Sequence, residues 1–213
     1  MKETFIRQIS YFGQKMRVIA IDMRGFGKSE GLKTPFSLDD YYIDVCDFLT
    51  RLGVKKYSVL GHSFGGRVAV KLALNDARVD NLILVGAAGI KPRRKPSYYY
   101  KVFKYKFLKR FKKNFNAENY GSSDYKKLTP VMKQSFIKIV NEHLNGVLKK
   151  VKNRTLIISG SEDKETPPYF AKTFFKKIKN SELYFVNGGG HFCFLERSGE
   201  VNAVVNEFLF GGK

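Results

Sequence analysis

Hydrophobic and polar positions along the chain alternate between two patterns. Short, predominantly apolar and β-branched runs recur at "RVIAID" (17–22), "YSVLG" (57–61), "NLILVG" (81–86), "TLIISG" (155–160) and "ELYFVN" (182–187). Runs of this kind predict strands of a sheet buried on both faces. Between them, helical patterns occupy about 3–13, 37–52, 63–75, 167–178 and 197–210. The alternation predicts an α/β fold, a mostly parallel sheet with helices on both faces. Ligands of such sheets sit outside the carboxyl ends of the strands.

Residues 91–154 break this rhythm, and the connection they make is too long for a simple crossover. They are expected to form a helical cap, or lid, inserted between two halves of the core, 1–90 and 155–213. Within the cap Tyr100, Phe103, Phe107, Phe111 and Phe115 recur every three or four residues, with lysines among them. That spacing predicts an amphipathic helix.

Charge sharpens the division. The chain of 213 residues carries a net +20. Residues 91–154 hold 19 Lys and Arg against three acids, or +16, while the other 149 residues hold 20 against 16, or +4. The stretch 91–115 has eleven basic residues and no acid. Three readings are open for it. The aromatics face a pocket and the lysines face water, the helix contacts an anionic membrane surface, or it binds nucleic acid. The helical period commits the aromatics to one buried face, which disfavours stacking on bases. Composition adds little else: 43% hydrophobic and 15% aromatic residues fit a folded globular chain. No signal peptide or membrane span is expected, since the longest apolar run, "LILVGAAGI", is far short of about 20 residues. Cys46 and Cys193 have no metal-like spacing, so no metal or cofactor is expected, and free thiols in a cytoplasmic protein are the modest reading.

The chemistry lies at the strand ends. In "SVLGHSFGG" an apolar strand stops at Gly61, and a helical pattern begins on Ser63, with His62 and Gly65 completing Gly-x-Ser-x-Gly. Such a turn holds a serine hydroxyl clear of the sheet at a helix N-terminus, where developing negative charge is favoured. A serine needs a base and a group that orients the base. Of three histidines, His62 lies within the turn and is expected to point away from Ser63, and His143 lies in the cap. His191, on the glycine-rich loop "NGGGHF" after the last strand, is the expected base. The orienting acid is sought in "GSEDKETPP", which offers Glu162, Asp163 and Glu165. Asp163 is preferred because Gly-x-x-Asp sets it at the tip of the turn. Each residue also has a plain structural reading: Ser63 or Asp163 as helix caps, His191 as an exposed loop residue.

With "GHSFGG", "GSEDKETPP" and "GGGHFCFLE" in this order, and "DMRGFGKS" (22–29) upstream, the chain resembles the α/β-hydrolase superfamily. The resemblance implies a serine hydrolase acting on an ester, thioester or similar acyl bond. Ser63 would be the nucleophile, His191 the base, Asp163 its orienter, and the backbone N–H of Phe64 an oxyanion donor. The aromatic cap suggests a medium-sized, partly apolar small-molecule substrate, and no cofactor is expected. Asp22 and Arg24 are expected to brace neighbouring loops. Carbon–carbon bond hydrolases and cofactor-free perhydrolases share such a triad and stay open. The sequence departs from the family pattern at its start. The loop that supplies a second oxyanion donor, and the strand that would lie between "RVIAID" and "YSVLG", are not found. An N-terminally shortened hydrolase is the expectation, with either a gap in the sheet or direct pairing of those two strands. The rival reading is a non-catalytic, ligand-binding descendant.

Overall fold

The computed structural model describes residues 2–93, 100, 102–103, 125 and 128–211. A 3₁₀ turn at Lys2–Phe5 runs into helix α1 (Ile6–Phe12). Then follow α2 (Leu38–Arg51), β1 (Tyr57–His62), α3 (Phe64–Asn75) and β2 (Val79–Val85). After α4 (Pro130–Asn141) come β3 (Arg154–Gly160), α5 (Tyr169–Lys177) and β4 (Ser181–Val186). The chain closes with a short α6 (Cys193–Glu196) and α7 (Ser198–Phe210).

The four strands form one parallel sheet in the order β1-β2-β3-β4. Spatial order follows chain order, so successive right-handed crossovers place their helices on the same face. The packing agrees. Leu82, Leu84 and Ile157 point into a core shared with α2, α3 and α5. Their neighbours Ile83, Val85, Leu156 and Ile158 point into a second core with α1 and α7. Alternation of side chains across a strand thus explains why these runs are apolar throughout: both faces are covered.

The helix ends are marked in sequence. Ser37 and Asp40 form a reciprocal capping box that starts α2. Thr129 accepts from the Met132 N–H, with Pro130 at the first helical position of α4.

The segment Arg17–Asp22 departs from expectation. It joins no strand ladder among the described residues, although Ile19 and Ile21 still pack against the first core. An apolar run becomes a strand only where a partner stands about 4.8 Å away. The described pairing of β1 is to β2 alone, so direct pairing of the two runs does not occur. Asp22 instead ties loops together, accepting from the backbone N–H groups of Lys2 and Lys28. Arg24 pairs with Asp44 at 2.9 Å.

Within residues 91–154, the described elements include α4 and two 3₁₀ turns, Leu144–Gly146 and Leu148–Lys150. Phe107, Phe111 and Phe115 lie outside the described residues. Tyr100 and Phe103 are each 67% exposed, so these two aromatics do not face a buried pocket. Among the described residues no helix is long and apolar enough to cross a membrane.

Candidate active site

Ser63, Asp163 and His191 each lie beyond the carboxyl end of a strand. Ser63 follows β1 directly and has φ 50°, ψ −115°, the one positive φ at a non-glycine residue among those described. Its backbone is fixed from both sides. The N–H donates to Val85 O, while its carbonyl accepts from Gly66 and Ala88. The side chain makes no capping hydrogen bond to α3, so the helix-cap reading of Ser63 does not hold. An unfavourable conformation held by its surroundings is a feature of functional turns.

The glycines around it are not equivalent. A Cβ on Gly61 would sit 2.4 Å from the carbonyl oxygen of Gly65, so only glycine fits there. A Cβ on Gly65 would meet nothing. Gly66 is the helix residue whose added Cβ would strike Ala87, at 2.6 Å. Phe64 opens α3, so its N–H has no acceptor within the helix. Its ring stacks on Phe26 and meets Tyr41 edge-on.

Asp163 and His191 are brought into direct contact. His191 Nδ1 lies 2.9 Å from Asp163 Oδ2, and both side chains are buried. The other carboxylate oxygen accepts from the backbone N–H groups of Glu165 and Thr166, each at 2.9 Å. Asp163 therefore organises its own turn and holds the imidazole as well. Burial of Asp163 alone would raise its pKa. Hydrogen bonds from His191 and Thr166 outweigh that and keep the carboxylate below its ordinary range. Burial likewise pushes His191 down, but the hydrogen bond and charge of Asp163, with the charge of Glu165, carry its pKa above the ordinary histidine value.

Three residues of this cluster were not singled out from sequence for the parts they play. The Thr166 hydroxyl lies 2.7 Å from Asp163 Oδ2, 2.9 Å from the carbonyl of Gly86 and 3.4 Å from His191 Nδ1. Gly86, with φ +49°, turns the chain after β2. A Cβ there would press on Asp163, at 3.3 Å, and on His191. The Nε2 of His62 reaches the carbonyl oxygen of His191 at 2.9 Å. The only sequence signals were position: Thr166 in the acid turn, Gly86 at a strand end and His62 inside the serine turn.

Ser63 is thus tethered through its backbone to Val85 and Ala88, which flank Gly86, and the Asp163–His191 pair rests on Gly86. The hydroxyl of Ser63 makes no hydrogen bond to His191 in this structure. The cluster offers a hydroxyl at a helix N-terminus, an imidazole with its tautomer set, and a buried carboxylate. Such a set can carry out acyl transfer.

A family model described as alpha/beta hydrolase fold matches residues 2–119, and one described as TAP-like protein matches residues 138–213. The chain is 28% identical to an AB hydrolase superfamily protein, YisY, of Bacillus subtilis, over 90% of this chain and 81% of that protein. It is 27% identical to a 2-hydroxymuconate semialdehyde hydrolase of Pseudomonas putida, over 92% of this chain and 78% of that protein. The crystal structure of a meta-cleavage product hydrolase from Pseudomonas fluorescens superimposes with a TM-score of 0.76 at 21% identity, covering 99% of this chain and 86% of that one.

Proposed function

The chain belongs to the alpha/beta hydrolase superfamily, and from that premise we propose that it is a serine hydrolase cleaving an ester, thioester or related acyl bond through Ser63, His191 and Asp163. One observation carries the reading: a buried Asp163–His191 hydrogen bond at the strand ends, beside a serine in a strained turn at the start of α3. The relatives named above are hydrolases of more than one kind, so the bond type is held at this breadth.

The mechanism follows from the geometry. Asp163 accepts a hydrogen bond from the Nδ1–H of His191 and so fixes the tautomer whose Nε2 lone pair takes the proton of Ser63 as its oxygen attacks the acyl carbon. Negative charge moves onto the carbonyl oxygen and is met by the Phe64 N–H at the positive end of α3. The imidazolium then returns the proton to the departing alcohol or thiol. Water, deprotonated by the same Nε2, hydrolyses the acyl-serine and regenerates the hydroxyl. The substrate is a partly apolar acyl compound. The basic 91–115 segment supplies a possible anionic membrane contact, and the free thiols of Cys46 and Cys193 suit a cytoplasmic protein.

A fluorophosphonate probe tests the reading. Covalent labelling at Ser63, lost in Ser63→Ala, supports it. A folded sample that takes no label supports the rival, a ligand-binding protein without turnover.

A further inference from the structure

His191 has a carboxylate on each side of its ring. Asp163 Oδ2 stands 2.9 Å from Nδ1, and Glu165 Oε2 stands 3.4 Å from Nε2. The first contact belongs to the reading above; the second has no place in it. Nε2 is the atom that must receive the proton of Ser63; in this structure Glu165 stands 3.4 Å from it and the hydroxyl is not hydrogen-bonded to it.

The proton count makes the consequence definite. With protons on both nitrogens, the imidazolium hydrogen-bonds Asp163 at one end and has the Glu165 carboxylate within ion-pair distance at the other. With Nε2 deprotonated, its lone pair faces a negatively charged oxygen, and the contact turns repulsive. The arrangement therefore favours the cation, which cannot act as a base. We propose that Glu165 is a positioning residue that favours a resting, protonated form of His191, and that the base becomes more available to Ser63 when the Glu165 side chain swings away. The inference rests on the serine-hydrolase reading and extends it to the control of its base.

The local structure suits a movable contact. The Asp163 side chain is fully buried, whereas that of Glu165 is 68% exposed. The Glu165 backbone is held separately, its N–H donating to Asp163 Oδ1. The side chain can therefore leave without disturbing the turn. The other groups around the imidazole do not compete for this role. From the same turn, Asp163 and the Thr166 hydroxyl address Nδ1. From the end of β1, His62 packs its ring at 4.6 Å and is kept neutral by burial. Two residues along the loop, the Cys193 thiol is pushed up to about 11 by burial and stays uncharged. Among the described residues, Glu165 is the charged group at Nε2. The raised pKa of His191 draws in part on its charge.

The test reads His191 itself. Imidazole resonances of His191, assigned with a His191→Gln variant, are titrated by NMR in the wild type, Glu165→Gln and Glu165→Asp. An exposed pair of this kind supports a fall of the midpoint by a few tenths of a pH unit, up to about 0.7, in Glu165→Gln. Glu165→Asp, one methylene shorter, should fall with it. In parallel, fluorophosphonate labelling of Ser63 is followed against pH. Its acid limb moves to lower pH in Glu165→Gln, and labelling below the wild-type midpoint rises about two- to fivefold. Labelling with an unmoved His191 midpoint overturns the role of Glu165 alone. Absence of labelling in every folded variant at every pH overturns the hydrolase reading, and the role in catalysis with it.

Discussion

The Nε2 of His62 lies 2.9 Å from the carbonyl oxygen of His191. A carbonyl can only accept, so His62 carries its proton on that nitrogen and is neutral when Nδ1 is bare. Its ring is enclosed by Phe5, Phe192 and Phe194. Burial pushes its pKa down to about 4, against an ordinary 6.5. The unfolded chain therefore takes up a proton on His62 near pH 6.5, while the folded chain refuses it until about pH 4. Stability drains away as pH falls through that window, by about 3 kcal/mol in full. His191, with a raised pKa, has the opposite sign: its contribution is complete below pH 6.5 and is lost as pH rises through its folded value. Comparison with a variant isolates His62. Urea unfolding of His62→Phe at pH 7 should show a loss of about 1 kcal/mol for the missing hydrogen bond. Between pH 6.5 and 4 the variant should lose less stability than the wild type. Parallel losses would remove His62 as the source.

Ser63 is held at φ 50° and ψ −115° whatever its side chain does, because the hydrogen bonds that fix it are backbone ones. A non-glycine residue in such a region carries about 1–3 kcal/mol of strain. Ser63→Ala removes the hydroxyl and keeps the strain. Ser63→Gly removes both, at an entropic cost of about 0.5–1 kcal/mol. Ser63→Gly should then be more stable than Ser63→Ala by about 1 kcal/mol in denaturant melts, with both variants inert to the probe. Equal stability would mean that the turn stores no strain.

These residues also show what was legible in the sequence. The four paired strands were readable because each is a local run of apolar residues, and their alternate faces need no distant information. Arg17–Asp22 reads as a strand by the same local criterion and is not one, since strand pairing is a property of two segments and its partner is not described. Asp163 was preferred over Glu162 and Glu165 from turn geometry alone, and it is the acid that meets His191 at Nδ1. Glu165, the rejected alternative, meets the other nitrogen of the same ring. The parts played by Thr166 and His62 depend on a carbonyl or carboxylate delivered from another strand end, which no spacing encodes. That Gly66 and not Gly65 has no room for a side chain turns on Ala87, a residue from the segment after β2.

Thr166 supports the Asp163–His191 pair from below with one hydroxyl proton and two candidate acceptors, Asp163 Oδ2 and the carbonyl of Gly86. Thr166→Val keeps the shape and the backbone N–H to Asp163 but leaves these buried oxygens a donor short. A loss of about 1–3 kcal/mol in stability is expected. Labelling of Ser63 should slow, because the carboxylate is freer to turn from Nδ1. Thr166→Ser retains the hydroxyl and should restore most of both. If Thr166→Val labels at the wild-type rate, the hydroxyl only stabilises the turn.

Arg67 links the helix that begins at Ser63 to the helix that covers it. It is 8% exposed, and its Nη1 donates to the carbonyls of Ile139 and Glu142, at 2.9 and 2.5 Å. Both carbonyls lie at the C-terminal end of α4, and that of Ile139 also accepts from the Glu142 N–H at 3.2 Å. One turn along α3, Lys71 bridges Asp39 and Glu142 at 2.8 and 2.7 Å, so α4 is held twice at its C-terminus. Arg67→Met fills much of the same space, removes the donor to the Glu142 carbonyl and leaves that of Ile139 with the Glu142 N–H alone, for a cost of about 1–3 kcal/mol. Lys71→Met removes a more exposed contact and should cost less. Both substitutions act through Glu142, so their effects should not add. Hydrogen exchange of the amides over residues 130–141 locates the damage. In Arg67→Met these amides should open faster than those of β2 and β3. If they exchange in step with the sheet, α4 does not depend on this anchor.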